Sequence, residues 1–174
     1  MTNLLRITLA ASVAALTLTA TPAVAAPVGA ATPATARAKI VKPLLLVATR
    51  NLDFGTITLG TVAAGGETVT LSQAGTITTC GSGGLVCSGT AASAAYNVQG
   101  TNNQVVQIFA TATNITNAND ATTLLFTPNA PSTVTLTNSG APGSNFNVGG
   151  AIIITPTTTD GVYTGNMNVT VDYQ

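Results

Sequence analysis

The sequence contains no histidine and no tryptophan, and only 6% of its 174 residues are charged. Without histidine the chain lacks the commonest general base and the commonest catalytic metal ligand. Serines such as Ser72, Ser82, Ser93 and Ser132 then have no side chain to activate them in the usual way. The five acids, Asp53, Glu67, Asp120, Asp160 and Asp172, are scattered and form no motif. Asn117-Ala-Asn-Asp120 offers one carboxylate where a hard cation needs several, so it reads as a turn. No enzymatic activity, cofactor or metal is expected. Neither sign of charge dominates: after residue 25 the bases Arg37, Lys39, Lys42 and Arg50 face those five acids. That balance gives no electrostatic reason to expect a nucleic acid or an anionic membrane as partner. Aromatics, at 4%, leave the core to aliphatic side chains and are too few for the two girdles of an outer-membrane barrel. Past residue 25 the strongest apolar run, 151–154, is strand-sized, so the chain is not expected to span a membrane.

What is present starts with a targeting pattern. A short positive segment ending at Arg6, an apolar run over 7–18 and the small-x-small triplet Ala23-Val-Ala25 predict a secretory signal peptide over 1–25. The product would be exported, to the periplasm, the cell surface or an extracellular fibre. Residues 26–33 are Ala, Pro, Gly and Thr without periodicity and read as an extended leader. The chain is nonetheless 45% hydrophobic and full of Val, Ile and Thr, which argues for an all-β fold rather than disorder. Strands are expected near 56–62, 67–73, 75–80, 86–89, 92–99, 104–112, 122–127, 132–138, 146–154 and 162–173. Gly, Asn and Pro turns cut them every eight to twelve residues, which predicts an antiparallel β-sandwich. The expected organisation is an N-terminal extension over 26–43 and a sandwich domain over 44–174.

Two stretches show strict alternation. In the tail, Tyr163, Met167, Val169, Val171 and Tyr173 are apolar with Gly165 as the one gap, and the residues between them are polar. This predicts a strand with one face on a core and one in water. At ~3.4 Å per residue it would run about 40 Å. Near the other end, Ala34, Ala36, Ala38 and Ile40 share one face, and Thr35, Arg37, Lys39 and Val41 the other. Pro43 would end any strand there, since proline cannot donate to a ladder.

Cys80 and Cys87 bracket Gly-Ser-Gly-Gly-Leu-Val. In an exported protein an even pair around a Gly-rich turn reads as a disulfide stapling a hairpin. The four bases between 37 and 50 read either as a docking patch for an acidic partner or as charges that discourage random edge pairing.

Three segments carry a resemblance: Asn51-Leu-Asp-Phe-Gly-Thr-Ile57, Ala95-Tyr-Asn-Val-Gln-Gly100, and Thr159-Asp-Gly-Val-Tyr-Thr-Gly165 leading into Val169-Thr-Val-Asp-Tyr-Gln174. On these the chain resembles the secreted bacterial family known as domain of unknown function 4402. It is more distantly similar to spore coat protein U and to fimbrial (pilin) subunits of chaperone–usher systems. The fimbrial likeness rests on the X-Phe-Gly corner, Gly161 as the fourteenth residue from the end, the penultimate Tyr173 and the alternation between them. It implies an incomplete immunoglobulin-like sandwich with a groove where a strand is missing. A periplasmic chaperone, and then the N-terminal extension of the next subunit, would fill that groove. Gly161, Tyr163, Met167, Val169, Val171 and Tyr173 would line the groove, and Ala34, Ala36, Ala38 and Ile40 would be the inserted face of the donor strand. The chain departs from the fimbrial pattern in lacking an early Cys near Leu45 and in its small, alanine-rich donor face. The expected function is a structural subunit of a bacterial surface fibre or coat, a homopolymer built by β-strand exchange with chaperone and usher as partners. The alternative is a self-complete secreted or envelope sandwich that binds protein or carbohydrate.

Overall fold

A computed structural model describes residues 25–174. The signal peptide expected over 1–25 lies outside these residues except for Ala25. The chain divides into two compact units, 1–38 and 39–174. In the first, residues 25–38 carry no helix or strand and are exposed. The alternation of Ala34, Ala36 and Ala38 is therefore not expressed as a strand here. A strand needs a neighbour to take its N–H and C=O groups, and three methyl groups bury too little area to hold one.

The second unit holds thirteen strands: β1 (Leu45–Arg50), β2 (Thr56–Leu59), β3 (Glu67–Leu71), β4 (Ile77–Cys80), β5 (Leu85–Ser88), β6 (Ala94–Gln99), β7 (Val105–Thr111), β8 (Thr113–Asn117), β9 (Thr123–Asn129), β10 (Thr133–Thr135), β11 (Ser144–Ile154), β12 (Tyr163–Thr164) and β13 (Asn168–Tyr173). All pairings are antiparallel, as short turn-punctuated strands require. The large sheet runs β1-β6-β11-β9-β8-β12, with β3 on β11 and β4 on β3; β10-β7-β13 form a second sheet and β2-β5 a third. No helix occurs among the described residues.

Strand β11 organises the arrangement. Its first half pairs with β6 from Ser144↔Val98 to Val148↔Ala94, and its second half pairs with both β9 and β3. Gly150, Ala151 and Ile152 have partners on both sides. Gly150 must be glycine, because a Cβ there would come within 2.5 Å of the Phe126 ring. Alternate residues of β11 supply two apolar clusters. Phe146 and Val148 join Ala94, Tyr96, Val98, Val106, Ile108 and Leu136 in the first, against which Val169, Val171 and Tyr173 pack. Ile152 and Ile154 join Val69, Leu85, Leu124 and Phe126 in the second, against which Phe54, Ile57 and Tyr163 pack. The large sheet thus packs against β10-β7-β13 over one cluster and against β2-β5 over the other, an all-β sandwich-like fold.

Two expectations need correction. The tail predicted as one strand over 162–173 is two: β12 pairs with β8 in the large sheet, and β13 pairs with β7 in the second. The break falls at residues 165–167, where Gly165 has no side chain to hold a face and its backbone is free to turn. A strand missed by periodicity is β8, whose sequence Thr-Asn-Ile-Thr-Asn carries a single apolar residue.

Candidate functional site: a groove beside the last strands

A groove opens beside the second cluster. Residues 48–59 form one wall and residues 158–167 the other, enclosing about 1160 Å³. The floor is apolar and comes from the large sheet: Ala94, Tyr96, Ile115, Leu124, Phe126, Ile152 and Ile154. The strands at the walls have open edges: among the described residues β12 pairs only with β8 and β2 only with β5.

Local sequence explains each wall. On the first, Asp53 and Ala92 exchange two backbone hydrogen bonds of 2.8 Å, an isolated bridge that turns the chain out of β1. Asp53 Oδ1 accepts from the Gly55 N–H at 2.8 Å, a short side-chain turn. Gly55 lies at φ 74°, where other residues are strained. The corner points Phe54 inward, edge-on to Phe126 with ring centroids 6.2 Å apart. Arg50 anchors the end of β1 by donating to Ser93 O and Ser93 Oγ at 2.8 and 3.0 Å.

The second wall is pinned by a polar network. Buried Asn117 donates to Asp160 O at 2.9 Å and Thr159 Oγ1 at 3.2 Å. Tyr163 OH donates to Thr159 O at 2.9 Å and lies 3.1 Å from the Thr122 hydroxyl. Thr122 also gives its backbone N–H and its hydroxyl to Asp120 Oδ1. Hydrogen bonding to Thr159 and then Thr122 lowers the Asp120 pKa. Burial pushes the Tyr163 phenol up, but its contacts with Thr122, Thr159 and Asn117 outweigh that and hold it below its ordinary value. On the floor, burial raises the pKa of Tyr96, which stacks on Phe146 at 5.4 Å. Gly161, at φ 144°, backs directly onto the Asn117 side chain, leaving no room for a Cβ.

Of the tail residues singled out in the sequence, Gly161, Tyr163 and Met167 line the groove. Val169, Val171 and Tyr173 lie on β13, half-buried against the first cluster. Tyr173 OH donates to Lys42 O at 2.6 Å and accepts from Thr101 N–H at 2.8 Å, so the end of β13 meets the chain entering β1. Ala34, Ala36, Ala38 and Ile40 are exposed and unpaired. Cys80 and Cys87 form a disulfide between β4 and β5, with Cα atoms 5.9 Å apart. The loop it closes wraps a buried carboxylate that sequence inspection passes over: Glu67 Oε2 accepts from Ser82 and Gly84 N–H at 3.0 and 3.2 Å. The groove floor is likewise unassigned in the sequence; the alternation of β6, β9 and β11 marks those residues as inward-facing, though not as neighbours.

No cluster of metal-ligating side chains occurs among the described residues, and no helix long and apolar enough to cross a membrane occurs among them. The fold and groove define an all-β, disulfide-bonded domain with an apolar-floored groove beside β2 and β12. The chain belongs to the family described as "Domain of unknown function (DUF4402)", whose profile matches residues 45–173. No curated protein and no solved structure matches it.

Proposed function

We propose that the protein is a structural subunit of a bacterial surface fibre or coat, exported and assembled head-to-tail by β-strand exchange. The observation that carries this reading is the apolar groove of about 1160 Å³ between two walls whose strands have open edges. A strand laid there would satisfy open backbone groups and cover the floor, the two gains that drive β-strand addition. The donor in this reading is residues 34–41, whose alternating face reaches the groove of the next copy, giving an open chain of subunits. A periplasmic chaperone with an usher would hold the groove before assembly. The test compares the exported protein with a form lacking 26–43. Heat-labile, detergent-resistant oligomers from the first and none from the second are expected. Two folded monomeric forms would sink the proposal.

One observation favours a second reading, a binding module for carbohydrate or protein. Four of the seven aromatic residues, Phe54, Tyr96, Phe126 and Tyr163, line the groove. Binding of a saccharide that Tyr163→Ala abolishes, without any assembly, would favour that reading.

A further inference from the structure

The charges of this chain are segregated. Arg37 and Lys39 stand exposed on the polar face of the alternating N-terminal segment. Asp53 and Asp160 are exposed on opposite walls of the groove. The bonded charges take uncharged partners: Arg50 takes Ser93, Lys42 Nζ takes Ser139 O, Asp53 takes the Gly55 N–H, and Asp160 offers only its backbone carbonyl to Asn117. Arg50, also at the groove, keeps its charge while held by neutral Ser93, so with Asp53 and Asp160 the groove carries one positive charge against two negative, a net −1.

We propose that the acidic rim made by Asp53 and Asp160 receives the basic face of residues 34–41 from a second copy, and so sets which face of that segment turns inward. This rests on the strand-exchange reading and adds the determinant of its orientation. A strand presents alternate residues to opposite faces. With Ala36, Ala38 and Ile40 on the apolar floor, Arg37 and Lys39 must point out of the groove, toward its rim. The reverse face would put two cations on Tyr96, Phe126 and Ile152, a placement forbidden by desolvation. Alanine methyls alone discriminate weakly between faces, so the paired charges supply the choice and steer the encounter.

The experiment uses the full exported chain and follows assembly rate by light scattering and sedimentation across a salt series. Wild type should assemble more slowly as salt shortens the screening length from about 30 Å at 0.01 M to about 3 Å at 1 M. Asp53→Asn with Asp160→Asn should slow low-salt assembly roughly tenfold and flatten the salt dependence; the amide oxygen introduced at position 53 still accepts the turn hydrogen bond. Arg37→Glu with Lys39→Glu should fail alone, and recover in part when its donor meets a chain carrying Asp160→Lys, which leaves the Asp53 turn intact. Ala38→Arg, an inward change at an exposed position, should abolish assembly without affecting folding. If Ala38→Arg abolishes assembly but neither charge change alters its rate, strand exchange stands and the acidic rim is wrong. If wild type never assembles, or residues 34–41 are protease-protected in a monomer, the strand-exchange reading and this inference fall together.

Discussion

Glu67 illustrates how one residue can hold a loop. Its carboxylate is buried at 5% exposure and receives the N–H groups of Ser82 and Gly84, which the turn between the two cysteines would otherwise leave unpaired. Glu67→Gln keeps one acceptor oxygen, puts an NH2 group in place of the other and removes the negative charge that strengthens these bonds. The expected cost is about 2 kcal/mol, read as a lower urea midpoint with an unchanged slope. Further residues tie stability to pH. Asp120 has a lowered pKa from its bonds to Thr159 and Thr122. It therefore contributes stability above its ordinary value of 3.8 and loses it as pH falls through the lower folded value. Tyr96 has a raised pKa from burial, so its contribution is complete below 10.0 and fades as pH rises through the higher folded value. A melting-temperature profile should fall at the acid end, with Asp120→Asn flattening that limb; at the alkaline end Tyr96→Phe should remove a loss and Tyr163→Phe a gain, since the Tyr163 phenol is held below its ordinary value. Glu67 does not stand out in the sequence, and Asp120 stands out only as part of the 117–120 turn. Each is one of five scattered acids, and its role depends on N–H and O–H donors that only the fold brings to it.

At the scale of elements, alternation carries far but not to neighbours. The runs through Val69, Val98, Val106, Phe126 and Ile152 place β3, β6, β7, β9 and β11 within a few residues of their true bounds. The same rule fails at the tail: Met167 keeps the phase of Tyr163 and Val169 while the chain leaves β8 for β7. A period of two says which face a residue takes and nothing about which strand lies beside it. It also marks 34–41, where no partner is present and no strand forms. The Cys80–Cys87 bridge is legible in the sequence, but the hairpin expected around it does not form: β4 pairs with β3 and β5 with β2, so the bridge joins strands of different sheets. Replacing both with Ser should cost about 2.5 kcal/mol from the reopened loop, measured as a denaturant midpoint that reducing agent no longer shifts.

The groove belongs to the unit over 39–174 as a whole. Its walls come from 48–59 and 158–167, and its floor from strands between them. The Asn51-Leu-Asp-Phe-Gly55 corner and the Gly161 tail are visible as motifs. The floor is not, because Tyr96, Phe126 and Ile152 meet only through pairings between distant segments. In the strand-exchange proposal the shape matters more than any single contact: an inserted strand would need both the apolar floor and the open edges.

The bond from Tyr173 OH to Lys42 O brings the two ends of the β-structure together. A mechanical load applied across residues 42 and 174 would first meet that bond together with those from Lys42 N–H to Thr101 Oγ1 and from Gln174 N–H to Val105 O. It would then peel β1 from β6 starting at Leu45↔Gln99, and β13 from β7 starting at Tyr173↔Val106. Antiparallel ladder bonds lie perpendicular to their strands, so a peeling force breaks them one pair at a time instead of shearing all at once. Pulled this way, single molecules should open at low force, and Tyr173→Phe should weaken the first resistance to extension while leaving the later unfolding steps unchanged.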